Sequence, residues 1–572
     1  MNGGILLPIR KRMGLMSGDE RGLAIVMVLA VSAILTVLLS ATAAFSINQL
    51  KQVRSDQDWQ ASLAAAQAGI DEYVSHLNED SNYWKYGDSS NAYSTGSAIT
   101  GTGGNAAFTG WVNLPGTTGR GQFRYEINNS QYSGRGVLQI RSSGKVGKEV
   151  RTAEAFLRRR SFIDFLYFTD YETMDPALYT GSPFSAATAQ VQCSKYYYSG
   201  RNSSCTDIQF ATADTINGPL HTNDAFLACP GSRSGSPNRG PQFMGDTSTS
   251  YKPASGNRYR TAGGCSGSPY FARAGDPSSV DPLTMPPTNG TLKREVNPAY
   301  TTTPGCLYTG PTKVVLNSNG TMNVTSPTSP ATANLSQGRC GTGNNLALPQ
   351  NGVLYVQNVP SPADAYTNTT PSPACTASGN RLGFPQEGDT TTYSCTAGDV
   401  FVEGTLSGAL TIAAENSIIA TWHIDFQTGT GGNDMLGLIA NNYIEVYHPY
   451  GKTCLARSGA TCTSWSSSSS NLNVPGRGAA FTNVRINAAI LSVNHSFRVQ
   501  NYNNGSGLGT LNVTGAIAQR YRGIVGTGNG STGFIKNYSY DPRLKYSSPP
   551  KFLDPVQSAF GPSQWSELTP AY

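Results

Sequence analysis

The chain has 572 residues, of which 13% are charged, and a formal net charge of +6. Two of those six net charges lie before the first apolar run (Arg10, Lys11, Arg12 and Arg21 less Asp19 and Glu20), and no Lys/Arg cluster with interleaved aromatics follows, which argues against nucleic acid as a partner. Gly (63) and Pro (33) stay below the load of a disordered chain, and 29 Tyr and 20 Phe also argue against disorder, so the composition is that of a β-rich, turn-rich exported protein of two or three units.

Residues 23–47 carry no charge and, as a helix of about 37 Å, are long enough to cross a bilayer. The basic residues before them predict a cytoplasmic N-terminus and an external body. The helical pattern continues past the apolar run: Trp59, Leu63, Ala66, Ile70, Tyr73/Val74 and Leu77 recur every three or four residues around "ASLAAAQA". With no Pro between 23 and 80 and only Gly69 as a weak point, one continuous helix is expected, apolar all round in its first half and amphipathic in its second.

"ERGLAIVMVLAVSAILTVLLSATAAFSI" (20–47) flowing into that amphipathic stretch resembles the N-terminus of type IV pilin-like proteins, in which a basic leader is cut after a Gly. The resemblance implies cleavage by a prepilin peptidase between Gly22 and Leu23 and a place among other pilins of a pilus or pseudopilus. Fibre-forming pilins carry a glutamate at the fifth mature position, which here is Met27. Some minor pilins, including the PilX type, and a large tip pseudopilin lack it too, so the resemblance is to a minor component. Gln67 in "AAAQAGI" stands where PilX-type proteins often have an acid. Two other readings of the run remain: a secretory signal cut after Ala41-Thr42-Ala43, and a plain membrane anchor.

Residues 81–160 hold three alternating segments, "GQFRYEINN", "GRGVLQIRSSGKV" and "EVRTAEAFLRR", which predict a small antiparallel meander. "RRR" (158–160) reads as the end of a solvated strand. In "SFIDFLYFTDYETMDPALY" (161–179), Phe162, Phe165, Tyr167, Phe168 and Tyr171 read as a capping or docking core.

All ten cysteines fall between 193 and 462, with no CxxC pair and no His at zinc-finger spacing, so disulfides in an oxidising compartment are expected and no metal site. Each sequential pair brackets a loop-like stretch, which favours Cys193–Cys205, Cys229–Cys265, Cys306–Cys340, Cys375–Cys395 and Cys454–Cys462. From about 350, short apolar runs such as "GVLYVQN", "MLGLIANNYIEVYHP" and "VRINAAILSVNHSFRVQNYN" recur about every ten residues with Gly and Asn at the corners. They predict a β-solenoid of the parallel β-helix kind, with a β-sandwich as the alternative. Residues 160–560 also resemble exported proteins that carry a pilin-like helix. The expected organisation is a leader (1–22), the helix (23–80), a β-meander (81–160), a disulfide-rich β/loop region (161–345) and a solenoid region (346–572), α+β overall and mainly β.

For chemistry the candidates are few. Asp425, Asp434, His423, His448 and His495 have no visible catalytic partner in sequence, and "GTGGND" (429–434) is a single unrepeated Gly/Asp turn. No P-loop, HExxH or GxSxG appears. The expectation is a non-enzymatic, cofactor-free, membrane-anchored surface protein acting in pilus assembly, tip capping or adhesion to a surface or glycan ligand through exposed Tyr. The rival expectations are an adhesin unrelated to pili and a polysaccharide-active β-helix enzyme.

Overall fold

The computed structural model describes residues 20–80, 82–117, 119–132, 136–159, 161–232, 239–329, 340–359, 380–527, 530–555 and 560–572. The fold is α+β and mainly β, with one long N-terminal helix followed by several sheets.

Helix α1 (Glu20–Glu79) runs unbroken for 60 residues, about 90 Å. Its C-terminal part lies across a five-stranded antiparallel sheet, the head. Strands β1 (Val112–Asn113), β2 (Gly121–Asn128), β3 (Leu138–Val146) and β4 (Glu149–Arg159) form the meander the alternation predicts. The fifth strand comes from the other end of the chain: Phe560–Leu568 pairs antiparallel with β4 and closes that edge. Phe123, Tyr125, Ile127, Leu138, Ile140, Ala153, Ala155 and Leu157 form the helix-facing core with Ile70, Tyr73 and Leu77.

The body is built on parallel pairing, and strands on both sides of residue 346 share one sheet. Its main ladder has an order that does not follow the chain. From one end it reads Cys306–Thr309, Val353–Gln357, Ala409–Ala414, Met435–Ala440, Arg485–Ser492 and Gly507–Tyr521, each parallel to the next. It then continues into Tyr167–Tyr171, Leu220–Thr222, Thr247–Thr249 and Ser278–Ser279. The chain thus enters the ladder in the middle, builds one half, crosses back along residues 280–305, and builds the other half until its last long strand meets its first.

Register is kept across that seam. Leu354, Ile412, Leu438, Ile490, Ile517, Tyr167 and Leu220 are successive partners and point into one core. Their neighbours Tyr355, Ala413, Ile439, Leu491, Ala518 and Phe168 are also successive partners and point to the opposite face. That face is covered by Leu283, Met285, Leu292 and Val296 of the crossover, by Phe162 and Ile163, and by Leu544 and Phe552. A strand buried on both faces needs apolar residues at every position, hence runs such as "MLGLIA" instead of alternation.

The seam also encloses charge. Arg522 and Glu172 are fully buried and paired at 2.6 Å, with the guanidinium 3.5 Å over the Phe210 ring. Such a pair costs desolvation on both sides and tolerates the loss of neither partner alone. The two ends of the ladder differ. One is finished by an antiparallel hairpin set, Thr312–Asn317, Thr321–Thr325 and Gly343–Ala347. The other ends in two-residue strands, Tyr270–Phe271 and Ser278–Ser279, each preceded by a proline, which leaves little edge to pair with another chain.

Four of the expected disulfides are present: Cys193–Cys205, Cys229–Cys265, Cys306–Cys340 and Cys454–Cys462. Cys395 is disulfide-bonded, and Cys375 lies outside the described residues. The aromatic stretch after the head is core as expected, with Phe162, Tyr167 and Phe168 buried. Arg158 departs from the solvated reading of "RRR": it is buried and paired with Asp164, because the strand end is where head and body meet. Arg160 lies outside the described residues.

Candidate functional site

The most distinctive functional element is α1 itself, which divides at about residue 60. From 24 to 57 every residue is exposed, including Leu39 at 68% and Met27 at 64%. This is the one helix among the described residues long and apolar enough to cross a membrane. Water disfavours such a surface strongly, since each fully buried Val, Leu or Ile gains about 1.5–3 kcal/mol. Within the uncharged run 23–47 most hydroxyls are satisfied by the helix itself: Ser32, Thr36 and Ser40, four residues apart, each donate to the carbonyl four residues earlier at 2.7 Å, and Thr42 donates to the Leu39 carbonyl at 3.0 Å. An apolar medium therefore meets those four hydroxyls already paired. Gly22 and Leu23 lie in the first turns of α1, and their side chains lie outside the description.

Where the helix reaches the head, its surroundings turn polar. Arg120 forks onto Asp58 at 2.6 and 2.7 Å. Arg151 lies 3.6 Å over the Trp59 ring and forks onto Glu567 of the C-terminal strand. Trp59, expected on the packed stripe, is thus half-exposed and sandwiched by a cation at the rim.

The seat itself depends on small residues. A Cβ on Gly144 of β3 would fall 2.1 Å from the Ser62 carbonyl oxygen and 2.2 Å from the Ala66 amide nitrogen. A Cβ on Gly69 would fall 2.4 Å from the Ser142 hydroxyl. Gly69, a weak point by helix propensity, is required by this close packing. The helix carboxylate Glu72 accepts from the Tyr125 hydroxyl at 2.6 Å and from Asn105 at 3.2 Å. Burial, and then the Glu72 carboxylate, push the Tyr125 phenol up, so it remains a donor. Hydrogen bonds to a charged acceptor in a half-dry site fix the rotation of the helix on the sheet.

The residues singled out for chemistry sit in separate structural roles. Asp425 forks onto Arg485, whose backbone N–H donates to His423 Nδ1 at 3.1 Å. Asp434 accepts from the backbone N–H groups of Gly408 and Thr428 and from the Thr428 hydroxyl, which holds "GTGGND" as a capped turn. His448 is buried between the Gln500 carbonyl and Asn471. His495 meets Asp175 at 2.8 Å and stacks on Tyr443, while Ser496 beside it is buried facing away. Among the described residues no three His, Cys, Asp or Glu side chains gather as a metal site.

Carboxylates do gather near the seam, in ways the sequence does not reveal. Asp170, Glu172, Asp175 and Asp224 are all buried. Asp170 accepts from Tyr196 and Asn223, Glu172 pairs with Arg522, and Asp224 pairs with Arg201. Tyr521, Tyr171, Tyr196, Tyr198 and Tyr251 stack in series with centroids 5.1–5.9 Å apart. This stack lays the Cys193–Cys205 loop over the seam. The signal for it was the "YYY" of 196–198, but its partners lie up to 325 residues away.

No family model matches the chain, and no curated protein matches it. Among solved structures it is similar to the competence-associated pilin ComZ from Thermus thermophilus, at 12% identity over 89% of this chain and 96% of that one, with a TM-score of 0.24, a likeness too low to carry an argument about fold or role.

Proposed function

We propose that this chain is a minor, pilin-like subunit, held by α1 in the membrane or in the helix bundle of a type IV pilus or pseudopilus, with its β-rich body displayed outside. The observation that carries the reading is the division of α1. One part opens on the exposed, uncharged run 24–47, with the Ser32, Thr36, Ser40 and Thr42 hydroxyls paired within the helix, and the other is locked onto an antiparallel sheet by Gly69, Gly144 and Glu72. Moving the apolar half from lipid into a bundle of similar helices exchanges one apolar surrounding for another at little hydrophobic cost, so it can act as a transferable anchor. Met27 places no carboxylate in the apolar run, which suits a subunit that joins a fibre without propagating it.

In the same reading the body is a β-solenoid, supported by the in-register parallel ladders, and its role is display and not catalysis. Structural partners of Asp425, Asp434, His423, His448 and His495 support a non-catalytic body.

Intact-mass analysis and N-terminal sequencing of the mature protein, with and without prepilin peptidase, test the reading. A peptidase-dependent start at Leu23 is expected, along with co-purification in sheared fibres. A start at Ala44 overturns it in favour of a signal peptide, and an uncleaved Met1 reduces the helix to a plain anchor.

A further inference from the structure

Two clefts meet where the head rests against the body. One, of about 450 Å³, lies between the head turn at Ser130 and Gln131 and the body loops carrying Thr303, Gln350 and Asn433. The other, of about 230 Å³, is walled by Trp84 and Tyr132 of the head, whose rings lie 4.7 Å apart, and by Phe552. Ser548 and Lys551 line both, so the two form one groove along the junction.

The chemistry of its lining is selective. Each cation in the groove faces a carboxylate: Lys551 faces Glu295 at 3.4 Å, Arg158 pairs with Asp164, and Arg159 lies in the field of Asp554. A strongly charged ligand therefore finds no net opposite charge. Three exposed side-chain amides from three separate segments, Gln131, Gln350 and Asn433, line the wider cleft. Each offers a donor and an acceptor, as neighbouring hydroxyls of a sugar require, whereas an apolar ligand would leave them unpaired. The aromatic pair at the other end supplies a surface for the C–H face of a ring.

We propose that this head–body groove binds a short neutral oligosaccharide, its hydroxyls on Gln350 and Asn433 and one ring against Trp84 and Tyr132. The proposal goes beyond the assembly role, because the groove requires only that head and body fold together.

Full-length protein in detergent micelles is titrated by calorimetry with cellotriose, maltotriose and chitotriose, with trigalacturonate as the acidic comparison and a neutral Gly/Ser peptide as the polypeptide comparison. At least one neutral trisaccharide is expected to bind. Gln350→Ala with Asn433→Ala is expected to weaken it about tenfold or more, with an unchanged thermal midpoint because neither amide holds the fold together. Trp84→Ala is expected to weaken binding as well, and Trp84→Phe to restore part of it. Absence of saccharide binding, binding indifferent to the double substitution, or preference for trigalacturonate or the peptide overturns the proposal. None of these outcomes bears on cleavage at Gly22–Leu23, so the groove and the anchor succeed or fail separately.

Discussion

In the head, strands run antiparallel, neighbours in the sheet are mostly neighbours in the chain, and α1 covers one face. In the body's main ladder, strands run parallel, sheet neighbours are separated by long stretches of chain, and both faces are buried. The head joins its two distant parts by adding Phe560–Leu568 at an edge; the body joins its own by stacking its last long strand on its first. Edge addition leaves the earlier strands in place. A seam in mid-ladder leaves two exposed half-ladders until it closes, so the body's cooperativity rests on long-range contacts.

The largest effect that separates the two regions is expected at the seam. Arg522→Met leaves the Glu172 carboxyl buried without its partner, and should cost about 3–5 kcal/mol of body stability. The double variant Arg522→Met, Glu172→Met should recover most of it. Denaturant unfolding of both variants checks this, and equal loss in the two would show that the pair is not what the seam depends on.

A matched pair of cavities comes next. Ile490→Ala and Ile140→Ala each empty a fully buried site, one in the body and one in the head. Each should cost about 2–5 kcal/mol. Hydrogen exchange should show Ile490→Ala exposing amides on both sides of the seam, from Tyr167–Tyr171 as well as Gly507–Tyr521, while Ile140→Ala exposes the head alone. Uniform exposure in both variants would merge the regions into one cooperative unit.

Gly144→Ala sharpens the head side. Its new methyl falls on the helix backbone, so α1 must lift, at a cost of about 1–3 kcal/mol. Faster proteolysis near residue 60 with body protection unchanged is the expected result.

The last comparison depends on pH. Asp399 accepts from Asn416 and from the Ser417 N–H within the body, and burial raises its carboxyl to about 7. Because its folded value lies above the unfolded one, the neutral acid is favoured by folding. Its stabilising contribution is complete below about pH 4 and is lost as pH rises through about 7. Asp399→Asn should flatten the decline in stability between those limits and be as stable as the parent, or more so, at pH 8. Denaturant midpoints across that range check it, and an unchanged slope would remove Asp399 as the source.

What was legible in the sequence was local. The three-and-four spacing of Ala66, Ile70, Tyr73 and Leu77, the uncharged run before it and the alternation of β2–β4 marked the helix and the meander, because a helix turn or a strand pleat repeats within a few residues. Sequential cysteine pairing was legible for the same reason, each bond closing a loop of 8 to 36 residues. For the candidate sites, the anchor was visible as a stretch of chain. The groove was not, because Trp84, Gln350, Asn433 and Lys551 meet only after head and body dock.

The sequence by itself thus determined the exposed apolar half of α1, the amphipathic half, the strand-rich body and the disulfide neighbours. Only the tertiary structure decided that Phe560–Leu568 completes the head, that Gly144 must be glycine, and that Tyr167 stacks on Ile517 in the middle of the ladder. The physical reason is that short apolar strands all carry the same signal, and their order is set by which surfaces can be covered together, a property of the assembled core and of no single segment.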